Sequence, residues 1–169
     1  GALDNSKDAR RFTSAILHNS ERLTEMVTNL IDLSRIEYGD IQFNLEEIDL
    51  KNKINSVVEA MSNLAAKKNI KLKFDYVGDA LVKADHGALE QVLNNLLENS
   101  IKYSNPDSAV EIKIRKQDNF YKVSIMDTGS GIEEHESMLV FNRFYRTAKA
   151  RAESKDGSGL GLAIVKHLI

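Results

Sequence analysis

The spacing of apolar residues predicts one long helix followed by a mixed set of strands and helices. Between about residues 8 and 37, apolar positions recur at alternating intervals of four and three. This narrow stripe is typical of a helix that packs in a bundle, which we favour over packing on its own domain. The seam consists of Phe12, Ile16, Leu23, Met26, Leu30 and Leu33, with Asn19 in the remaining slot, where a polar residue can fix register.

Beyond Gly39, which can end this helix as a left-handed cap, the pattern predicts shorter elements. Strands that are paired by hairpins, with helices on one face, describe an α+β fold, a two-layer sandwich. The predicted elements are a strand with a turn over 41–50, a helix over 51–68, strands over 70–76 and 80–83 around a Gly78-Asp79 turn, a helix over 86–103, strands over 110–115 and 121–126 around a polar loop, and a helix from about Leu160.

Composition narrows the functional classes. The chain has 169 residues, a net charge of -2 and no Cys. The length suits one compact domain with a helical attachment. The balanced charge argues against a large nucleic-acid interface, and the absence of Cys excludes disulfides and thiolate metal sites. No signal peptide opens the sequence and no apolar run approaches the roughly 18 residues needed to span a bilayer, so we expect these residues to be soluble.

Two glycine clusters are candidate ligand sites. The first, Asp127-Thr128-Gly129-Ser130-Gly131-Ile132, follows a predicted strand. Its glycines let the backbone approach a ligand and its Asp can accept from an amino group, although a loop with an Asx turn would look the same. The second, at 157–162, opens the last helix, where backbone N–H groups can bind phosphate. It lacks the Gly-Lys-Ser/Thr of a P-loop, and a flexible linker is its alternative.

Polar and aromatic side chains form two further clusters. Asn95 and Asn99 lie four apart on one helix face, where an amide oxygen can bind Mg²⁺ already held by phosphates. Lys102 adds a charge for phosphate, although local hydrogen bonding would also explain single Asn residues. In the segment 141–146 the aromatic residues are expected to anchor a loop from which an Arg reaches phosphate. The charged residues 147–156 are expected to form a mobile lid.

In this order the four clusters resemble the catalytic, ATP-binding domain of sensor histidine kinases, in the fold shared with gyrase-type ATPases and Hsp90 chaperones. Residues 91–104 look like the N box of that family, 127–132 like its G1 box, 141–146 like its F box and 157–162 like its G2 box. Residues 20–37 are similar to the second helix of the dimerisation and phosphotransfer domain. The resemblance therefore divides the chain into a partial phosphotransfer helix at 1–41 and a catalytic domain at 42–169.

The resemblance implies ATP and Mg²⁺ as ligands and assigns roles to individual residues. Asp127 would accept from the adenine amino group and Asn99 would hold Mg²⁺, with Asn95 beside it. Lys102 and Arg146, or less favourably Arg143, would approach the phosphates. The remaining residues that the resemblance assigns to the nucleotide site are Tyr103, Gly129, Gly131 and Ile132 on the adenine side, and Gly157, Ser158, Gly159, Leu160, Gly161 and Leu162 over the phosphates.

The phosphoacceptor motif of the family, His followed by Glu/Asp-Leu-Arg-Thr-Pro, is absent. His18 lies on the long helix but precedes Asn-Ser-Glu, and His86, His135 and His167 fall in the catalytic domain. The expected function is therefore donation of the γ-phosphate of ATP to a His outside this chain, for relay to an Asp of a response regulator receiver domain. We also expect a homodimer through the helical bundle, no nucleic-acid partner, a cytoplasmic location, and a membrane only through other parts of the parent protein.

Two alternatives remain open. One is a nucleotide-binding signalling module without transferase activity. The other is a gyrase-type or chaperone-type ATPase, which typically places a Glu where this chain has Asn95; an amide is not a base, so hydrolysis is disfavoured. The sequence stops at Ile169 within a helix, whereas the family continues with a closing hairpin, so we expect C-terminal strands to be missing.

Overall fold

The computed structural model describes residues 6–39, 42–76, 78–153 and 157–169, apart from the side chain of Glu25. Two short 3-10 turns, Glu134–Glu136 and Leu139–Phe141, lie between the last strand and the fourth helix. The helices and strands are α1 (Ser6–Glu37), β1 (Leu45–Asp49), α2 (Leu50–Ala66), β2 (Lys71–Tyr76), β3 (Leu81–Asp85), α3 (His86–Tyr103), β4 (Ala109–Gln117), β5 (Phe120–Met126), α4 (Ala148–Glu153) and α5 (Gly161–Leu168).

The strands form two sheets. β1 and β3 pair antiparallel, with Leu45 opposite Asp85. In the other sheet β4 lies between β2, to which it is parallel, and β5, to which it is antiparallel. The expectation of hairpin pairing is therefore correct only for β4 and β5. The expectation is wrong for β2 and β3, which are neighbours in sequence but belong to different sheets. Because β2 and β4 are parallel, the chain between them must cross over, and the crossover consists of β3 and α3.

Helices α2 and α3 cover one face of the three-stranded sheet, which confirms the two-layer α+β arrangement. Alternate residues of β4, namely Val110, Ile112 and Ile114, point to this face and are at most 1% exposed. They pack in one apolar cluster with Ile54 of α2 and Leu97 of α3, both fully buried. Burial of a complete apolar side chain contributes about 1.5–3 kcal/mol, so this cluster is the main source of stability and fixes the position of α3.

Aspartates cap both of these helices. Asp49 ends β1 and accepts hydrogen bonds from the N–H groups of Lys51 (3.0 Å) and Asn52 (3.2 Å) at the start of α2. Asp85 ends β3 and accepts from Ala88 N–H (2.9 Å), a contact that lowers the pKa of this carboxyl. An N-cap of this kind satisfies backbone donors that the first helical turn leaves open. The caps explain why each helix begins directly where a strand ends.

The apolar cluster between helix α1 and the rest of the domain lies near the C-terminal end of this helix. Leu33 is fully buried against Leu160, Ala163 and Ile164 around α5. Earlier seam residues such as Leu23, which is 62% exposed, lie on the surface. The last turns of α1 therefore pack on their own domain, which is the alternative that we disfavoured. Packing of the remaining seam in a bundle stays a prediction. None of the described helices is long and apolar enough to cross a membrane.

Candidate nucleotide-binding site

A cavity of about 390 Å³ lies beside α3, between the loop that follows β5 and the start of α5. Every predicted site residue lines it except Gly129, Arg143 and Leu160. The lining residues that the sequence predicted are Asn95, Asn99, Lys102, Tyr103, Asp127, Gly131, Ile132, Arg146, Gly157, Ser158, Gly159, Gly161 and Leu162.

Asp127, which lines the cavity, follows β5 directly. Its Oδ1 accepts a hydrogen bond from Gly129 N–H (2.9 Å), which is the Asx turn that the sequence left as an alternative. No described residue donates to Oδ2, so this oxygen can accept from a ligand. The Asx turn and the ligand contact are therefore compatible, because the carboxylate has one oxygen for each.

Gly129 shapes the part of the cavity beside Asp127 without lining it. A Cβ at this position would lie 2.3 Å from the carbonyl oxygen of Tyr103 at the end of α3. The loop thus crosses the helix end at a distance that only glycine allows. Asn105 fixes the same crossing, since its amide Nδ2 donates to the Thr128 carbonyl (2.9 Å).

The C-terminal end of α3 is held by a side chain that the sequence did not single out. Lys68 Nζ donates to the carbonyls of Ile101 (3.2 Å) and Ser104 (3.1 Å), and also to that of Lys102. A cation at a helix C-terminus satisfies open carbonyls and complements the helix dipole. Lys68 therefore positions the last turn of α3, which brings Lys102 and Tyr103 to the cavity.

Two cations that line the cavity lie beside a glycine of the second cluster. A Cβ at Gly157 would lie 2.9 Å from Lys102 Nζ and 3.7 Å from Arg146 Cζ, so both side chains converge on this backbone. Arg146 is oriented by its own loop, because Nη2 donates to the Ala150 carbonyl (2.6 Å). Cationic donors around an exposed backbone are suited to a phosphate group.

The start of α5 packs closely on α3. A Cβ at Gly161 would lie 2.6 Å from Asn95 Oδ1, while Asn95 Nδ2 donates to the Gln91 carbonyl (2.9 Å). Gly159 has a φ of +70° and accepts at its carbonyl from Phe144 N–H (2.9 Å). The second glycine cluster therefore contacts both α3 and the aromatic segment, which favours a packed position for this cluster over a flexible linker.

Of the two arginines considered for phosphate, only Arg146 reaches the cavity. Arg143 instead forms an ion pair with Glu37 at the end of α1, and His167 Nε2 lies 3.3 Å from the same carboxylate oxygen. The chain adopts a left-handed conformation at Phe144 (φ +60°), which sends the two arginines to different neighbours. Leu160, which the resemblance assigned through its backbone, does not line the cavity either, and its side chain is buried against Leu33.

Part of the predicted lid is a short helix. In α4, Lys149 pairs with Glu133 (2.7 Å), a hydrogen bond that lowers the pKa of Glu133 and raises that of Lys149. Tyr145, on the cavity wall, donates to Glu136 (2.9 Å), and this bond raises the pKa of the phenol. Residues 154–156 of the predicted lid lie outside the described residues.

Sequence reasoning missed several lining residues: Asn29, Leu96, Glu98, Ser100, Ser130, Val140, Tyr145, Thr147 and Ala150. Most of these residues lie inside the motifs or beside them: Leu96, Glu98, Ser100, Ser130 and Tyr145 are within the motifs, Val140 and Thr147 flank the aromatic segment, and Ala150 belongs to the predicted lid. Asn29 is different, since it belongs to α1 and no local pattern points to it.

Residues 84–169 match the family described as histidine kinase-, DNA gyrase B- and HSP90-like ATPases. The chain belongs to this family. Sensor-like histidine kinase SenX3 of Mycobacterium tuberculosis is 34% identical over 165 residues, which are 98% of this chain and 40% of that protein. Sensor histidine kinase WalK of Bacillus subtilis is 31% identical over 172 residues, which cover all of this chain and 28% of that protein. The chain thus spans less than half the length of these relatives.

A solved structure shows the same relationship. Full-length ShkA in complex with AMPPNP has a TM-score of 0.79 and 26% sequence identity, over 97% of this chain and 34% of that one. The relatives and this structure together show that the ATPase-family domain of this chain is of the sensor histidine kinase type.

The residues fit the nucleotide that this ATPase family uses. The cavity volume of about 390 Å³ lies within the roughly 300–1,000 Å³ of small-molecule sites. The carboxylate oxygen Oδ2 of Asp127 suits the amino group of adenine, and the cations Lys102 and Arg146 beside Gly157 suit phosphates. Among the described residues, no group of three or more His, Cys, Asp or Glu side chains could hold a metal ion.

Proposed function

We propose that this domain binds ATP with Mg²⁺ and donates the γ-phosphate to a histidine, as the catalytic part of a sensor histidine kinase. The observation that carries the proposal is one cavity that is lined both by Asp127, beside the first glycine cluster, and by Lys102 and Arg146, beside Gly157. Such an arrangement orients a nucleotide along one direction and leaves its last phosphate at the cationic end. Transfer would then depend on positioning and charge neutralisation.

We assign the metal contact to Asn99. Its side chain lines the cavity on the same face of α3 as Asn95 and one turn before Lys102. A neutral amide oxygen is a hard ligand that suits Mg²⁺ held mainly by phosphate oxygens, and the bound ion would neutralise phosphate charge. Asn95 supports this site through packing, because its amide is engaged by Gln91 and covered by Gly161.

We further propose a response regulator receiver domain as the partner that takes up the phosphate, in a homodimer formed through the exposed seam of α1. ThkA, a histidine kinase solved in complex with response regulator TrrA, has the same fold, with a TM-score of 0.71. We place this part of the protein in the cytoplasm, where ATP and such regulators occur. Helix α2 and β2 share one core with α3 and β4, and β1 pairs with β3, which supports a catalytic domain that begins near residue 42.

Incubation of the chain with γ-labelled ATP and Mg²⁺ separates a kinase domain from an ATPase. We expect neither release of inorganic phosphate nor acid-labile label on the protein, since Asn95 is not a base and the acceptor motif is absent. His18 is the informative residue, because it is exposed on α1 and lines a groove beside Lys102. Turnover of ATP would favour the gyrase-type alternative, and label that is lost on His18→Gln would overturn the view that the acceptor lies elsewhere.

A further inference from the structure

One side of helix α1 faces the catalytic domain, and it shares Met26 and Leu33 with the predicted seam. Arg22, Met26, Asn29 and Leu33 follow one another at intervals of four, three and four, which places them on one side of the helix. Leu33 is buried at the bottom of this face, and Asn29 lines the nucleotide cavity. The face therefore runs along the nucleotide site, and it is polar where it passes the cavity.

A groove of about 240 Å³ separates this face from the cationic end of the cavity. On the α1 side it is lined by His18, Glu21, Arg22 and Met26. The opposite wall consists of Glu98, Lys102, Gly157 and Ser158, all of which also line the nucleotide cavity. The groove and the cavity thus share the wall at which the phosphates of a bound nucleotide would end.

Arg22 is the side chain on α1 best suited to this wall. Its Nε is buried and has no hydrogen-bond partner among the described residues, a state that costs free energy for a charged donor. A guanidinium presents several donors in a planar fork that matches phosphate oxygens. Arg22 faces the same groove as Lys102, and a phosphate between two such cations would be bound from both sides.

The groove does not attract anions by charge alone. Glu21 and Glu98 line it as well, so their carboxylates offset the charges of Arg22 and Lys102. A free phosphate would gain little there. A phosphate that the rest of a bound nucleotide already holds next to Lys102 has a high effective concentration at the groove. A weak additional contact is then enough for Arg22 to bind this phosphate.

We propose that Arg22 binds the terminal phosphate of ATP and so makes α1 sensitive to whether the cavity holds ATP or ADP. The inference rests on the proposed function, because it requires the nucleotide in the orientation given above. It adds a residue outside the four motifs, on the helix that precedes the catalytic domain. A triphosphate would then tie α1 to the domain, and loss of the last phosphate would release that tie.

Calorimetric titration of the 169-residue chain with ATP and with ADP, both in the presence of Mg²⁺, tests this inference. We expect Arg22→Ala to lower affinity for ATP roughly three- to tenfold and to change affinity for ADP by less than about twofold. Arg22→Lys should recover part of the loss, because it keeps the charge but not the fork. Arg35→Ala, an exposed arginine on the same helix, is the matched control and should change neither affinity.

Three results would contradict the inference. Affinity of Arg22→Ala for ATP equal to that of the wild-type chain would show that Arg22 does not touch the nucleotide. An equal fall for ATP and ADP would show a structural role for Arg22 instead. If the wild-type chain bound neither nucleotide, the proposed function would fail and this inference with it. In contrast, wild-type binding with an unaffected Arg22→Ala variant would overturn the inference alone.

Discussion

Replacement of Asp127 by Asn is expected to weaken ATP binding roughly ten- to hundredfold, which corresponds to the about 1.5–3 kcal/mol of a hydrogen bond to a charged group. Asp127 uses Oδ1 for the turn at Gly129 and has Oδ2 for the adenine amino group. An Asn side chain has only one acceptor oxygen, so it cannot serve both. Its NH₂ group would also face the amino group of adenine with a donor. Titration of ATP into both proteins measures the loss.

The base specificity should change in the same variant. Guanine carries a carbonyl oxygen where adenine carries the amino group, and this oxygen accepts from Asn but is repelled by Asp. The preference for ATP over GTP should therefore fall in Asp127→Asn. Asp118→Asn is the matched control, because Asp118 lies in the β4–β5 hairpin loop with a φ of +51°, a conformation that Asn tolerates. Unchanged ATP affinity in Asp127→Asn would refute the adenine assignment.

Replacement of Gly129 by Ala is expected to destabilise the fold by about 3 kcal/mol and to abolish most nucleotide affinity. The added Cβ would lie 2.3 Å from the carbonyl oxygen and 2.9 Å from the carbonyl carbon of Tyr103. Both atoms belong to the backbone, so neither can rotate away, and the loop or the end of α3 must move. Thermal unfolding should shift down by roughly 6–12 °C for a chain of this size.

Gly87→Ala is the matched control for this substitution. Gly87 lies in the first turn of α3, and its added Cβ would be 3.4 Å from Asp85 Oδ1, an ordinary contact. Ala is favoured over Gly in a helix by up to about 1 kcal/mol, so the unfolding temperature should stay constant or rise. Equal unfolding temperatures and ATP affinities in the two variants would contradict the close crossing of loop and helix.

Both ends of α3 were predicted correctly from the sequence, because the residues that determine them are close to the helix in the sequence. Its apolar period runs over the whole helix, and Asp85 supplies an N-cap at the end of a strand. Its C-terminal support could not be predicted in the same way, because Lys68 reaches it from 33 residues away along the chain. Asn29 is similar, since its place on the cavity wall depends on how α1 packs against the domain.

The choice between Arg143 and Arg146 shows a different limit. Both lie in the same short aromatic segment, and either can reach a phosphate in an extended chain. In the structure, the positive φ at Phe144 turns the chain so that Arg143 and Arg146 reach different neighbours. A positive φ is uncommon for a residue other than glycine, and the spacing of apolar residues does not predict it. Pairing of β2 with β4 was missed for a related reason, because alternation along a strand does not specify the neighbouring strand.

The central claim is that one cavity, bounded by the two glycine clusters, holds ATP with Mg²⁺. Backbone amide NMR tests it directly, because glycine signals fall in a separate region of the spectrum and both clusters contribute glycines to the cavity wall. On addition of ATP and Mg²⁺ we expect saturable shifts at the glycines of the two clusters, and none at Gly39 or Gly78, which lie at the end of α1 and between β2 and β3. The glycines of the two clusters are Gly129, Gly131, Gly157, Gly159 and Gly161. The absence of shifts at these five glycines, or equal shifts at Gly39 and Gly78, would contradict the claim that the cavity holds ATP with Mg²⁺.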